Sequence, residues 1–151
     1  SNQVAEEVRL YFEDKVYKLF PQPEDLHHLD EDAFRDLRCG YRAKYIVHCI
    51  NHFSELMDRV SSSPDSVYDL LSTFEGIGPK VAACIALFAF GDLHQFPVDR
   101  WIERFMQQAF KTPNKTPIPK LQRLGSELFG DWAGYAQEFI YNYIRHSNYL
   151  S

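Results

Sequence analysis

The chain has 151 residues, 45% hydrophobic, 15% aromatic and 25% charged, which supplies one compact core and excludes a disordered or collagen-like chain. Its longest apolar run, Val81 to Phe90, is about half of what a bilayer crossing needs, and no charged start leads into an apolar signal stretch, so no membrane partner is expected. The net charge of −5 argues against a polyanionic partner until its distribution is read: nine acids face four bases between Ser1 and Arg35, whereas seven bases face three acids between Gly76 and Leu124.

Apolar residues at three- and four-residue spacing, from Val4 and Val8 through Tyr11, Phe12 and Val16 to Leu19 and Phe20, predict an amphipathic helix stopped by Pro21. The chain opens at Ser1 without a Met and in mid-pattern, so it reads as part of a longer protein. Short helices follow over 24–29 and 32–37, then a Cys39-Gly40 turn and one long helical pattern from Tyr41 to about Val60. Residues 61–65 read as a loop ending in Asp65, which can cap the next helix, 66–74. Glu75-Gly76-Ile77-Gly78 is a tight turn, and Pro79 suits the first position of a helix running to Phe90. This makes a helix-hairpin-helix over about 66–90. Further helices are predicted over 100–110, 118–129 and 132–146, with 111–117 as a Pro-punctuated loop. With no strand alternation anywhere, the class is all-α: about eight helices in one domain over 1–151.

The helix from Pro79 is apolar on every face except at Lys80, which sits in its first turn. Helix N-termini favour anions, so a lysine there is misplaced by ordinary rules. The helix dipole and partial desolvation would both favour the neutral amine, a nucleophile; the ordinary alternative is a lysine that reaches from a buried helix end into solvent. Gly76 and Gly78 let backbone N–H groups point outward without a Cβ, an arrangement that binds phosphate. In Phe96-Pro97-Val98-Asp99, Asp99 reads first as the cap of the next helix. It also lies 19 positions after Lys80, and an antiparallel return would bring both into one cleft, where a carboxylate could stabilise a developing sugar cation or take up a proton. His48, His52 and Glu55 share one face of the long predicted helix and raise a metal site as an alternative. Cys39, Cys49 and Cys84 form no CxxC pair, which suits a reducing interior and excludes a four-cysteine iron–sulfur cluster.

The strings Gly76-Ile77-Gly78-Pro79-Lys80-Val81-Ala82 and Phe96-Pro97-Val98-Asp99, with Gly40-Tyr41-Arg42-Ala43-Lys44-Tyr45 and Gly134-Tyr135-Ala136-Gln137, resemble the 8-oxoguanine DNA glycosylase/lyase branch of the helix-hairpin-helix glycosylase superfamily. The resemblance spans nearly the whole chain and covers that family's catalytic helical part. The family's N-terminal β-rich domain has no counterpart here.

The resemblance implies base excision repair of oxidised purine in double-stranded DNA by a monomer without a cofactor, inside the cell wherever DNA is kept, nucleus or nucleoid. Lys80 would be the nucleophile that forms a Schiff base and Asp99 the group that stabilises the sugar cation. Gly76, Gly78 and Lys80 would hold a backbone phosphate, with a monovalent cation at the hairpin near Gly76 and Gly78. Cys84, Gln137 and Tyr141 would form the base pocket, and Tyr41 and Arg42 would wedge into the duplex and contact the opposite cytosine. On residue type alone each of these five reads as core, surface or packing. Trp101 departs from the pattern, standing where a His is common in the animal enzymes of this branch. The competing readings are a non-catalytic helix-hairpin-helix DNA-binding module, which needs neither Lys80 nor Asp99, and a glycosylase of the same superfamily for another damaged base.

Overall fold

The computed structural model describes residues 21–62 and 66–147; the predicted helix over 4–20 and the predicted cap Asp65 lie outside them. The described residues form nine α-helices and two 3-10 turns, and contain no strand. Two short helices, α1 (Pro23–Leu26) and α2 (Glu31–Asp36), lead to the 3-10 turn Gly40–Arg42. The predicted long helix is two: α3 (Ala43–Asn51) and α4 (Phe53–Ser62). His52 breaks them apart, its Nδ1–H donating to the His48 carbonyl at 2.8 Å while its own N–H bonds the same carbonyl.

Next come α5 (Val67–Ser72) and α6 (Pro79–Phe90), the two arms of the hairpin. Ser66, rather than Asp65, caps α5: its Oγ accepts from Asp69 N at 3.1 Å. Pro79 opens α6, and Gly91, at φ +71°, closes it with N–H bonds from Gly91 and Asp92 back to the Leu87 and Ala86 carbonyls. The chain then reaches α7 (Arg100–Phe110), α8 (Ile118–Phe129), a 3-10 turn (Gly130–Trp132) and α9 (Ala133–His146). The bounds of α6, α7 and α8 are those the sequence predicts.

Three apolar clusters hold these helices. Phe34, Ala43 and Ile50 join α2 to α3, and Leu56, Leu71, Phe74, Ile77 and Ala82 join α4 to both hairpin arms. The third, built from Phe96, Val98, Ile102, Met106, Leu121, Ala133 and Ile144, binds the loop before α7 to α7, α8 and α9. Phe96 is fully buried, stacked 5.7 Å from Phe129, and it lies against Gly125, where any Cβ would fall on its ring.

Gly125→Ala therefore sets two effects against each other. Alanine favours the helix by about 1 kcal/mol over glycine, but overpacking a rigid buried ring costs about 1–3 kcal/mol. A net loss of stability in urea unfolding, with an unchanged slope, is the expected outcome.

Candidate active site

The site is built around the start of α6. Gly76 adopts φ +90°, and a Cβ there would run into the Tyr45 side chain, so its bareness both permits the turn and lets α3 press on the hairpin. Gly78 faces open space and caps α6 without any side-chain hydrogen bond. Ile77 N–H is already bonded to the Phe74 carbonyl, and Ala82 N–H bonds Gly78 O at 2.9 Å; the N–H groups of Gly78, Lys80 and Val81 have no backbone acceptor. Three donors and the positive end of a twelve-residue helix thus converge beside Gly78. Lys80 emerges there and is exposed, where the sequence leads one to expect partial burial.

Helical spacing places Lys80, Cys84 and Leu87 on one stripe of α6, and Gly134, Gln137 and Tyr141 on one stripe of α9. The stripes meet where Leu87 occupies the space that a Gly134 side chain would fill. Gly134 N–H is fixed by the Leu93 carbonyl at 2.8 Å, which ties the start of α9 to the loop after α6. Cys84 is half-buried. Gln137 is only 6% exposed, and its buried Oε1 has no hydrogen-bond partner. A buried carbonyl oxygen left bare is costly, and it is the kind of group that a bound donor repays.

Asp99 caps α7 through one oxygen, Oδ1, which accepts from Trp101 N and Ile102 N at 2.9 Å each. The expected antiparallel return is absent: α7 packs on α8 and α9 instead of running back along α6, and no ion pair within 4.0 Å joins Lys80 to Asp99 among the described residues. Asp99 nonetheless follows directly on Phe96 and Val98, members of the core on which Tyr141 and Trp101 also pack. The Arg145 guanidinium lies 5.1 Å from the Trp101 ring centre, so the residue in the departing position is a cation-binding aromatic.

Tyr41 and Arg42 stand on the 3-10 turn after two left-handed residues, Arg38 and Gly40. Tyr41 is 69% exposed, and the Arg42 guanidinium lies 4.9 Å from its ring centre, making a projecting aromatic–cation pair. About one helical turn further on, Tyr45 lies against Gly76, so this projection is braced on the hairpin. Sequence reasoning passed over Tyr45; its signal was the aromatic beside a positive-φ glycine, visible only once the fold is known.

The proposed metal face fails for a local reason. His52 ends α3, so Glu55 lies on a different helix, and the His48 and His52 rings lie against each other, 4.2 Å apart and tilted by 34°, instead of opening toward an ion. Among the described residues no group of three His, Cys, Asp or Glu side chains is placed to hold a metal. A cavity of about 650 Å³ lies beside the hairpin, lined among others by Tyr41, Arg42, Tyr45, Gly76, Val81 and Ile85; it brings the Tyr41–Arg42 turn and Gly76 together, and neither Lys80 nor Asp99 enters it.

No protein-family model matches the chain. A curated protein, the probable N-glycosylase/DNA lyase of Methanothermobacter thermautotrophicus, is 32% identical over 161 residues, covering 92% of this chain and 51% of its own. The N-glycosylase/DNA lyase OGG1 of Arabidopsis thaliana is 31% identical over 81% of this chain and 37% of its own. Among solved structures, the 8-oxoguanine glycosylase/lyase of Clostridium acetobutylicum, in complex with double-stranded DNA containing cytosine opposite 8-oxoguanine, matches with a TM-score of 0.78 and 31% identity, over 89% of this chain and 47% of that one. Over nearly its whole length the chain is homologous to N-glycosylase/DNA lyases and similar in fold to 8-oxoguanine glycosylase/lyases. It spans about half the length, or less, of these curated relatives. A second solved structure, MBOgg1 in complex with a low-affinity DNA ligand, matches with a TM-score of 0.76 at 34% identity over 89% of this chain and 47% of that one. The all-helical, helix-hairpin-helix fold expected from the sequence is the fold these structures share.

Desolvation pushes the Cys49 thiol above its ordinary value, which lowers its thiolate fraction at neutral pH. In iodoacetamide labelling at pH 8, Cys49 should react more slowly in the folded chain than in the urea-unfolded chain, and its folded-state rate should go on rising at alkaline pH. Equal rates in the folded and unfolded chain, read by peptide mass spectrometry, would contradict this.

Proposed function

We propose that this chain carries the catalytic half of a base-excision enzyme that removes oxidised purine, 8-oxoguanine, from duplex DNA and then cleaves the strand. The observation that carries this reading is the buried Gln137 Oε1 with no hydrogen-bond partner, on the stripe of α9 whose Gly134 lies against Leu87, a residue in line with Lys80 and Cys84 on α6.

A base cannot be reached at C1′ while it is stacked, so the damaged nucleotide must leave the helix first. Tyr41, projecting from its turn, fills the gap, and Arg42 donates to the cytosine left behind. The free N–H groups at Gly78, Lys80 and Val81 take a backbone phosphate. The expelled base enters between Cys84 and Tyr141, and one of its N–H groups completes Gln137 Oε1. A monovalent cation at the hairpin would use the backbone carbonyls of Gly76 and Ile77, beside the open space at Gly78.

Lys80 Nζ then attacks C1′. The N–C1′ bond forms as the glycosidic bond breaks, the base leaves with the bonding electrons and takes up a proton, and the amine loses one. Opening of the sugar ring converts the adduct to a protonated Schiff base. Loss of a C2′ proton then expels the 3′ phosphate oxygen, which is β-elimination. The Asp99 carboxylate, anchored by Oδ1, presents Oδ2 to the positive charge that develops on the sugar. The enzyme would act inside the cell, in whichever compartment holds the DNA.

Borohydride reduction tests this chemistry, because it converts the Schiff base into a stable covalent adduct. The expected result is a trapped complex with duplex DNA carrying 8-oxoguanine opposite cytosine, and with abasic DNA. Lys80→Gln should abolish it, and Asp99→Asn should slow it about a hundredfold. DNA binding without any trapped species would instead support the non-catalytic module, and trapping on abasic DNA alone would point to a different damaged base.

A further inference from the structure

One buried polar network lies outside the site described so far. Gln122, on α8, is 6% exposed, yet both ends of its amide are satisfied: Oε1 accepts from Tyr68 Oη at 3.0 Å, and Nε2 donates to the Pro79 carbonyl at 2.9 Å. Tyr68 belongs to α5 and Pro79 opens α6, so a single side chain clasps both arms of the hairpin to α8. Both bonds are long-range, spanning 54 and 43 residues.

The place where this clasp acts gives it meaning. The first turn of α6 begins at Gly78, has no capping side chain, and follows a residue at φ +90°. Such a helix start is held locally only by Pro79 and by the Ala82 N–H bond to the Gly78 carbonyl, without the side-chain cap that most often secures a first turn. The next residue after Pro79 is Lys80, whose side chain makes no ion pair within 4.0 Å among the described residues, so its position follows the backbone alone. We infer that Gln122, oriented by Tyr68, is a positioning residue for Lys80, holding the first turn of α6 where its amine meets the sugar. This rests on the reading of Lys80 as the Schiff-base amine. Misplacing a reacting group by about 1 Å can cost up to about a hundredfold in rate. A relaxed first turn should lie below that ceiling.

Two variants remove the clasp while keeping the packing: Gln122→Met, which has nearly the same shape and no polar atoms, and Tyr68→Phe, which leaves the amide unoriented. Each is compared with the native chain in single-turnover borohydride trapping on abasic duplex DNA over a range of DNA concentrations. Hydrogen exchange of the 77–84 segment is followed without DNA. The expected result is trapping about tenfold slower at saturating DNA for Gln122→Met and less for Tyr68→Phe. The half-saturating DNA concentration should be unchanged, and exchange in the segment should be about tenfold faster. A residue that merely supports the fold would lower the trappable fraction without changing the rate. Native trapping with unchanged rates in both variants would overturn the inference and leave the lysine chemistry standing. Unchanged exchange in Gln122→Met would also overturn it. If the native chain leaves no adduct while Gln122→Met speeds exchange, the lysine chemistry fails, and the function assigned to the clasp fails with it.

Discussion

The structure depends on how a nearly all-apolar helix packs closely along its middle while its first turn, and its last from Phe88 to Phe90, stay open. Helix α6 buries Ala82, Ala83, Ala86 and Leu87, and its one charged residue is Lys80. An apolar helix of this kind is stable only if other elements approach it from several directions. Small residues make that approach feasible. Gly76 admits Tyr45 at the hairpin, and Gly134 admits Leu87 further along. Each missing Cβ brings a functional element with it: the Tyr41–Arg42 projection in the first case, the Gln137 stripe in the second. The glycines that look like turn residues in the sequence also set the distances between parts of the site.

In the proposed reaction Asp99 would serve fold and chemistry together. Its two hydrogen bonds to α7 both use Oδ1, an arrangement worth about 1 kcal/mol of helix stability. The anchored oxygen fixes the orientation of the carboxylate, and the other oxygen remains for a second partner. Preorganisation of this sort is what makes a fixed charge effective against a transient cation, since no reorientation is required at the moment of reaction. The capping role and the catalytic role read from the sequence are therefore not competing descriptions.

Much of the frame was legible in the sequence because its signals are local. Pro79 and Gly91 mark the ends of α6, Asp99 marks the start of α7, and prolines and Gly130 bracket α8; all three helices have the bounds that these residues dictate. The break at His52 was not legible, since neither proline nor glycine marks it and the carbonyl-bonded imidazole that accompanies it depends on the ring's own conformation. Asp65 and Ser66 are both competent caps, and spacing cannot choose between them. The course of α7 was misjudged because loop length limits reach but not direction: the fully buried Phe96 draws the connection toward Gly125 on α8 and away from α6. Gln122 gave no sign at all, because a buried amide bonded to partners 43 and 54 residues away looks like any surface glutamine in one dimension.

The acidic average of the chain is reconciled with a polyanionic partner by the same geometry. Phosphate recognition at the hairpin uses backbone N–H groups and a helix end, neither of which contributes to formal charge. The excess of bases between Gly76 and Leu124 includes Lys111 and Lys115 in the loop before α8 and Lys120 and Arg123 on α8 itself, so it adds long-range attraction on the segment that also supplies the clasp. The acids between Ser1 and Arg35 that are described, on α1 and α2, precede the Tyr41–Arg42 projection in the chain. On the proposed function, a duplex would be drawn by the later segment and repelled by the earlier one, which would favour one orientation of the protein on DNA over its reverse. Attraction of this kind weakens with salt, whereas the backbone donors beside Gly78 would act by direct contact and be screened less. Side-chain charge would then set the orientation, and the hairpin backbone the final seating of the strand.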